Sequence, residues 1–295
     1  MIINLTLGAA ALRSCILAQA GANRATCTYT DFRAALAADM LSATDALAVS
    51  SLGSGSNFGV LINGINDSPD GAGSATPTID TAGANTRTAR LTTANAEALC
   101  LAVTATSDAS ITVGSGFAYD YEPGNGATAG TCDLVGPATH EIGHALGFLS
   151  GVDTLDANGR GGFSSDVFTY VNSFDLFRCS ALSTNIGGGP VIDFIADTRR
   201  KYFWLDKGVT EGPSFSTGTN FGDGRQASRW KDSLGLGIMD PTASTRETLT
   251  ITANATMAFD SVGWNLAPLP EPSTCAMFAP GLAGLAARHR PEAQA

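Results

Sequence analysis

Two histidines bracket a glutamate in His140-Glu141-Ile142-Gly143-His144, and no other feature constrains this chain as much. Residues four apart share one face of a helix. A helix here brings both imidazoles to one point, where their nitrogens reach a single metal ion at about 2.0–2.1 Å. Glu141 stands beside them, next to a water held at the ion. The chain has three histidines and the motif takes two of them. The third, His289, sits between arginines near the C-terminus and reads as a solvated charge. The surrounding residues suit a helix over 134–146. Asp133 can cap it, Pro137 is tolerated in the first turn, and Gly147 can end it in a left-handed conformation. Ile142, Ala145, Leu146 and Leu149 make the inward side.

Zinc (Zn2+) is the ion this pattern calls for, with His140 and His144 as ligands and Glu141 as general base. Zinc lowers the pKa of a water to about 7 and polarises a peptide carbonyl. Glu141 takes the water's proton and passes it to the departing amine. The segment 147–151 does not match the G-x-S-x-G elbow, so serine hydrolysis has no support.

The rest of the composition narrows the class. A chain of 295 residues is long enough for one large domain or two ordinary ones. Apolar residues make up 44%, which allows a sizeable core. Charged residues are 15%, the net charge is −10, and the lysines are Lys201, Lys207 and Lys231. An acidic chain without a basic run suits neither nucleic acid nor an anionic membrane surface. Abundant Gly, Ala, Ser and Thr fit an extracellular, loop-rich protein. None of the six cysteines sits in a C-x-x-C pair, which argues against a cysteine zinc site. Disulfides and buried free thiols both remain open.

No segment reaches the roughly 18–20 apolar residues needed to span a bilayer. The N-terminus has two readings. Residues 1–20 are apolar and end in Ala18-Gln19-Ala20, which fits a signal-peptidase site. They lack a basic start, and Arg13 interrupts them. The alternation in Ile2-Ile3-Asn4-Leu5-Thr6-Leu7 reads better as a first β-strand.

Periodicity predicts helices over 28–40, capped by Thr30, and over 43–51 and 93–102. It predicts strands over 58–65 and 109–121, with a polar loop over 66–78 and a Gly-rich turn over 122–130. The stretch 150–228 reads as irregular, with short strands at 191–195 and 202–205. Asp153, Asp156 and Asn158 before Gly159 fail the calcium-loop spacing and read as a polar turn. The order of elements predicts an α+β domain over 1–266. Pro268, Pro270 and Pro272 then open a stiff linker and a tail, 267–295.

Extended to Gly147, the motif resembles the metzincin zinc peptidases, and Gly237-Ile238-Met239-Asp240-Pro241 resembles their Met-turn. That resemblance implies a metzincin-like fold with a long loop-rich insertion between zinc helix and Met-turn. The short pattern would place a third histidine at Ser150. The leishmanolysin-like pattern takes it from a Ser-His-Trp segment shortly before the Met-turn. Here that segment is Ser228-Arg229-Trp230, with Arg229 ten residues before Met239. Asp153, Asp223 and Asp232 are the carboxylates that could substitute.

Segments 29–39, 117–153, 215–241 and 259–264 resemble a family of bacterial exported metalloproteases with C-terminal sorting tails. Pro270-Glu271-Pro272 resembles the PEP-CTERM signal, which an exosortase recognises and removes. The apolar stretch after it has 13 residues, and Pro280 interrupts it. The resemblance implies an exported peptidase, extracellular or on a bacterial surface. Its partners would be a peptide or protein substrate and exosortase-type machinery, with transient membrane contact through the tail. The competing expectation is an exported pseudopeptidase or surface binding protein with a degenerate zinc site. The strand at 109–121 is the expected partner for an extended substrate.

Overall fold

A computed structural model of the protein describes residues 2–10, 12–13, 16–63, 76–159, 171–186 and 191–266. The chain divides into two units, Met1–Trp264 and Asn265–Ala295. The Pro-rich linker and tail expected at 267–295, and most of the loop expected at 66–78, lie outside the described residues.

The first unit is α+β. In chain order it contains β1 (Ile3–Ala10), β2 (Ala18–Ala22), β3 (Arg24–Thr28), α1 (Tyr29–Asp39), α2 (Ala43–Ser51), β4 (Val60–Ile62) and β5 (Thr78–Asp80). There follow β6 (Thr88–Thr92), α3 (Thr93–Ala98), β7 (Ala109–Gly114), β8 (Tyr119–Asp120), β9 (Cys132–Asp133), α4 (Val135–Ala145) and α5 (Val152–Gly159). After them come β10 (Arg178–Cys179), α6 (Ala181–Asn185), β11 (Ile192–Asp193), β12 (Lys201–Phe203), β13 (Ser214–Phe215) and α7 (Ala253–Asp260). No described helix is long and apolar enough to cross a membrane.

The sheet that matters for the site has the order β1-β7-β2. β1 runs parallel to β7, with Leu5 opposite Ile111, and β2 runs antiparallel, with Ala20 opposite Ile111. The strand expected at 109–121 is therefore the centre of its sheet. Both of its edges are bonded, so it has none left for a substrate. β1 and β2 are the edge strands, and α4 packs on β2. Residues 3–10 form a strand, as the alternation predicted, and Ala18-Gln19-Ala20 lies in β2.

Local chemistry explains most boundaries. α1 starts at Tyr29 because Thr28, not Thr30, accepts the Asp31 N–H. Ser42 and Asp45 form a reciprocal capping box at α2. The polar turn expected at 153–159 is helical instead, as α5, and the carboxylates of Asp153 and Asp156 bond residues far along the chain. Cys27, Cys100, Cys132 and Cys179 are free thiols.

An aromatic core lies behind the motif helix. Phe148 meets Phe174 at 4.6 Å and the edge of Trp230 at 4.8 Å, and Phe215 stacks on Trp230 at 4.9 Å. Trp230 is fully buried. It fixes the chain at 228–230, and its N–H bonds the Met239 carbonyl at 3.0 Å.

Candidate metal centre

The motif helix begins where Asp133 takes the N–H groups of Val135 and Gly136, at 2.8 and 3.0 Å. Pro137 follows in the first turn, where no N–H is needed. His140, Glu141 and His144 are all buried on the side under β2 and the 228–241 segment. Of the four residues expected to face inward, Ala145 is buried while Ile142, Leu146 and Leu149 are half-buried. The polar face is thus the better covered one.

Each imidazole is oriented by a carbonyl. His140 Nδ1 lies 2.8 Å from the Ile238 oxygen and His144 Nδ1 lies 2.7 Å from the Phe148 oxygen. Those carbonyls can only accept, so both Nδ1 atoms carry the proton and both Nε2 atoms present a lone pair. The two Nε2 atoms face each other at 3.0 Å. Two lone pairs at that distance, away from water, repel unless a cation lies between them. Two ligands about 2.0–2.1 Å from one ion at a near-tetrahedral angle stand roughly 3.3 Å apart. The pair therefore fits a zinc ion with little movement.

Burial, and then the Arg229 charge, hold His140 well below its ordinary value, at about 4, against the opposing contact with the Ile238 carbonyl. His144 is also held well below its ordinary value, by burial and then by His140 and Arg229. Both rings are neutral at physiological pH, the state a metal ligand needs. Burial raises Glu141 to about 7, opposed by the Arg229 charge and by the Ala20 N–H that bonds its carboxylate.

Two glycines make this geometry possible. Gly147 has φ +121°, which turns the chain back so that the Phe148 carbonyl meets His144. Gly143 leaves room for Met239: a Cβ at position 143 would collide with the Met239 sulfur. Met239 is fully buried, and its turn supplies the Ile238 carbonyl to His140.

Arg229 closes the site. It borders two hollows, one shared with His140 and Glu141 and one shared with Glu141 and His144. Its Nη1 donates to the Pro241 carbonyl at 2.8 Å, and its buried Nε has no hydrogen-bond partner. The three alternative carboxylates are engaged elsewhere. Asp153 bonds Ala227 and Ser228, Asp223 pairs with Lys231 at 2.7 Å, and Asp232 pairs with Arg225 at 2.8 Å. Among the described residues, the only acid, thiol and imidazole cluster with metal-binding spacing is His140, Glu141 and His144.

Sequence reasoning missed the β2 edge, the two orienting carbonyls, and Arg24 and Arg90, which line the second hollow. The left-handed glycine at 147 was the available signal for one carbonyl. Nothing local marked the others. No family model, curated protein or solved structure matches the chain.

Proposed function

We propose that the chain is a secreted zinc-dependent endopeptidase of metzincin type, with activity weakened by an arginine at the third-ligand position. The observation that carries this is the buried pair of inward-facing Nε2 atoms, each set by its own Nδ1 bond to a carbonyl. The left-handed Gly147 and the close fit of Met239 under Gly143 support the metzincin comparison. Export and C-terminal sorting rest on the sequence of 268–290.

A bound zinc ion would supply carbonyl polarisation and acidify a water. Glu141, beside the two ligands, accepts the proton of the attacking water and delivers it to the leaving amine. Ala18 of β2 borders both hollows, and Gln19 and Ala20 border the second, so the edge of β2 can pair with an extended peptide and hold its carbonyl near Glu141. Burial of the site strengthens these polar contacts.

A pseudopeptidase is the second reading, and Arg229 is the observation that favours it. A guanidinium keeps its charge and has no lone pair to give. Catalytic zinc normally has three protein ligands plus water.

Metal analysis of the purified full chain, paired with a general protease assay with and without chelator, tests both readings. His144→Ala should abolish zinc retention. Glu141→Gln should keep zinc and lose nearly all hydrolysis. A wild-type chain that takes up no zinc at neutral pH, even with zinc supplied, sinks the proposed metal centre. Zinc uptake without chelator-sensitive hydrolysis selects the pseudopeptidase.

A further inference from the structure

The hollow on the His144 side of Glu141 has a volume of about 590 Å³ and is lined by Arg24, Arg90 and Arg229. Three arginines in one recess stand out in a chain of net charge −10. The fold places two of them close together. In the antiparallel ladder of β3 and β6, Arg24 lies opposite Thr92 and Thr26 lies opposite Arg90. Arg24 and Arg90 are therefore diagonal neighbours on one face of the ladder. Burial, and then the like charge of Arg90, hold the Arg24 guanidinium below its ordinary value.

Glu141 and Asp153 line the recess as well, and Asp153 and Asp175 both attract Arg24 without bonding it. Asp153 is bonded to Ala227 and Ser228. Asp175, which attracts Arg24 from behind, accepts the Ser150 hydroxyl and the N–H groups of Gly151 and Asn172. Glu141 faces Arg229. Arg24 reaches Asn172 Oδ1 at 3.3 Å, a neutral contact, and among the described residues no carboxylate is in hydrogen-bond contact with it.

We propose that this recess is a subsite for a substrate carboxylate, which Arg24 and Arg90 grip while the scissile bond lies at Glu141. The placement of the scissile bond rests on the peptidase reading above; the carboxylate grip does not. An acidic side chain and a free C-terminus present the same group. Arginine is suited to it because its planar fork can bond both oxygens.

Calorimetric titration of full-length Glu141→Gln protein tests the subsite without turnover. The probes are three short acetylated peptides: one amidated with a central Glu, its Gln counterpart, and the Gln peptide with a free C-terminus. Each is titrated into zinc-loaded protein and into protein held in EDTA. The carboxylate peptides should bind at least about tenfold tighter than the neutral one, or 1.4 kcal/mol. The preference should persist in EDTA. It should largely disappear in Arg24→Gln and in Arg90→Gln, and Arg24→Lys should retain part of it if circular dichroism shows both Gln variants folded. Whichever carboxylate peptide binds tighter identifies the source of the group. Equal binding of all three, or no binding, overturns the proposal. So does a preference that vanishes in EDTA and ignores Arg24→Gln, because the carboxylate then sits on the metal. If the wild type neither keeps zinc nor cleaves peptides, the peptidase reading fails, while the EDTA arm still decides the subsite.

Discussion

Asp153 holds Ser228 twice, through its backbone N–H at 3.1 Å and through its hydroxyl, and takes the Ala227 N–H as well. The Ser228 oxygen in turn accepts the Ser150 N–H at 3.0 Å. One half-buried carboxylate thus ties the loop after the motif helix to the segment that carries Arg229. Arg178 braces the same segment by donating to the carbonyls of Ser216 and Ala227. Asp153 thus serves as an anchor, with both of its oxygens engaged. Asp153→Asn should lose about 1–3 kcal/mol of stability, since an amide cannot replace both accepting oxygens. Urea denaturation measures the loss. Zinc stoichiometry in the folded variant should match the wild type. A folded variant that has shed its zinc would return Asp153 to the ligand list.

Gly143 and Met239 make the second prediction. The helix can lie against the turn only because residue 143 has no side chain. Gly143→Ala pushes a methyl group into a buried thioether, and overpacking of this kind costs about 1–3 kcal/mol. Met239→Ala alone should destabilise by leaving a cavity. Combined, the two changes should cost clearly less than their sum, because the methyl group fills space the thioether vacated. Thermal melts of the two single variants and the double variant measure the coupling. Strict additivity would mean that the two residues do not touch.

Asp240, in the same turn, sets a pH dependence. Burial raises its carboxyl to about 6, the Thr242 N–H opposes this, and the like charges of Asp232 and Glu247 add to it. An unfolded aspartate titrates near about 3.9. Between those values the folded protein holds a proton that the unfolded chain has released. Stability from this group is therefore greatest in acid and falls as pH rises through about 4 to 6. Asp240→Asn removes that loss. Denaturation profiles should show the variant gaining on the wild type as pH rises from 4 to 7. A constant difference across that range would show that Asp240 titrates normally.

The motif helix was legible because its signals are local. The i, i+4 histidines, Asp133, Pro137 and Gly147 all act within a few residues of one another. The α+β class and the short helices at 29–39 and 43–51 followed from the same kind of pattern and from caps. β2 was not legible, since Ala-Gln-Ala-Gly-Ala has no branched or large apolar residue. Its strand character comes from pairing with β7, which is distant in sequence. The turn expected at 153–159 failed for the same reason. Asp153 and Asp156 looked like loop residues, but their carboxylates bond N–H groups at 227–228 and 220–221. Ile142 and Leu146 looked more buried than they are, because local periodicity ignores what covers the polar face.

Arg229 gives the last prediction. It borders both hollows together with Glu141, and its charge acts on His140 and His144. A guanidinium there repels a dication and supplies no lone pair. With two histidines alone, a bound ion would keep extra waters and leave readily. Arg229→His should raise zinc affinity by about tenfold or more, equal to 1.4 kcal/mol, and raise peptidase activity by a similar factor. Losing the Nη1 bond to Pro241 costs the turn some support, so a melt of the variant belongs beside the titration. Competition with a chelator of known affinity gives the zinc constant, and a quenched-fluorescence peptide gives the rate. A folded variant that gains neither shows that residue 229 does not point at the ion. A wild type that already binds zinc tightly shows that some other group completes the site, and the pseudopeptidase reading then loses its main support.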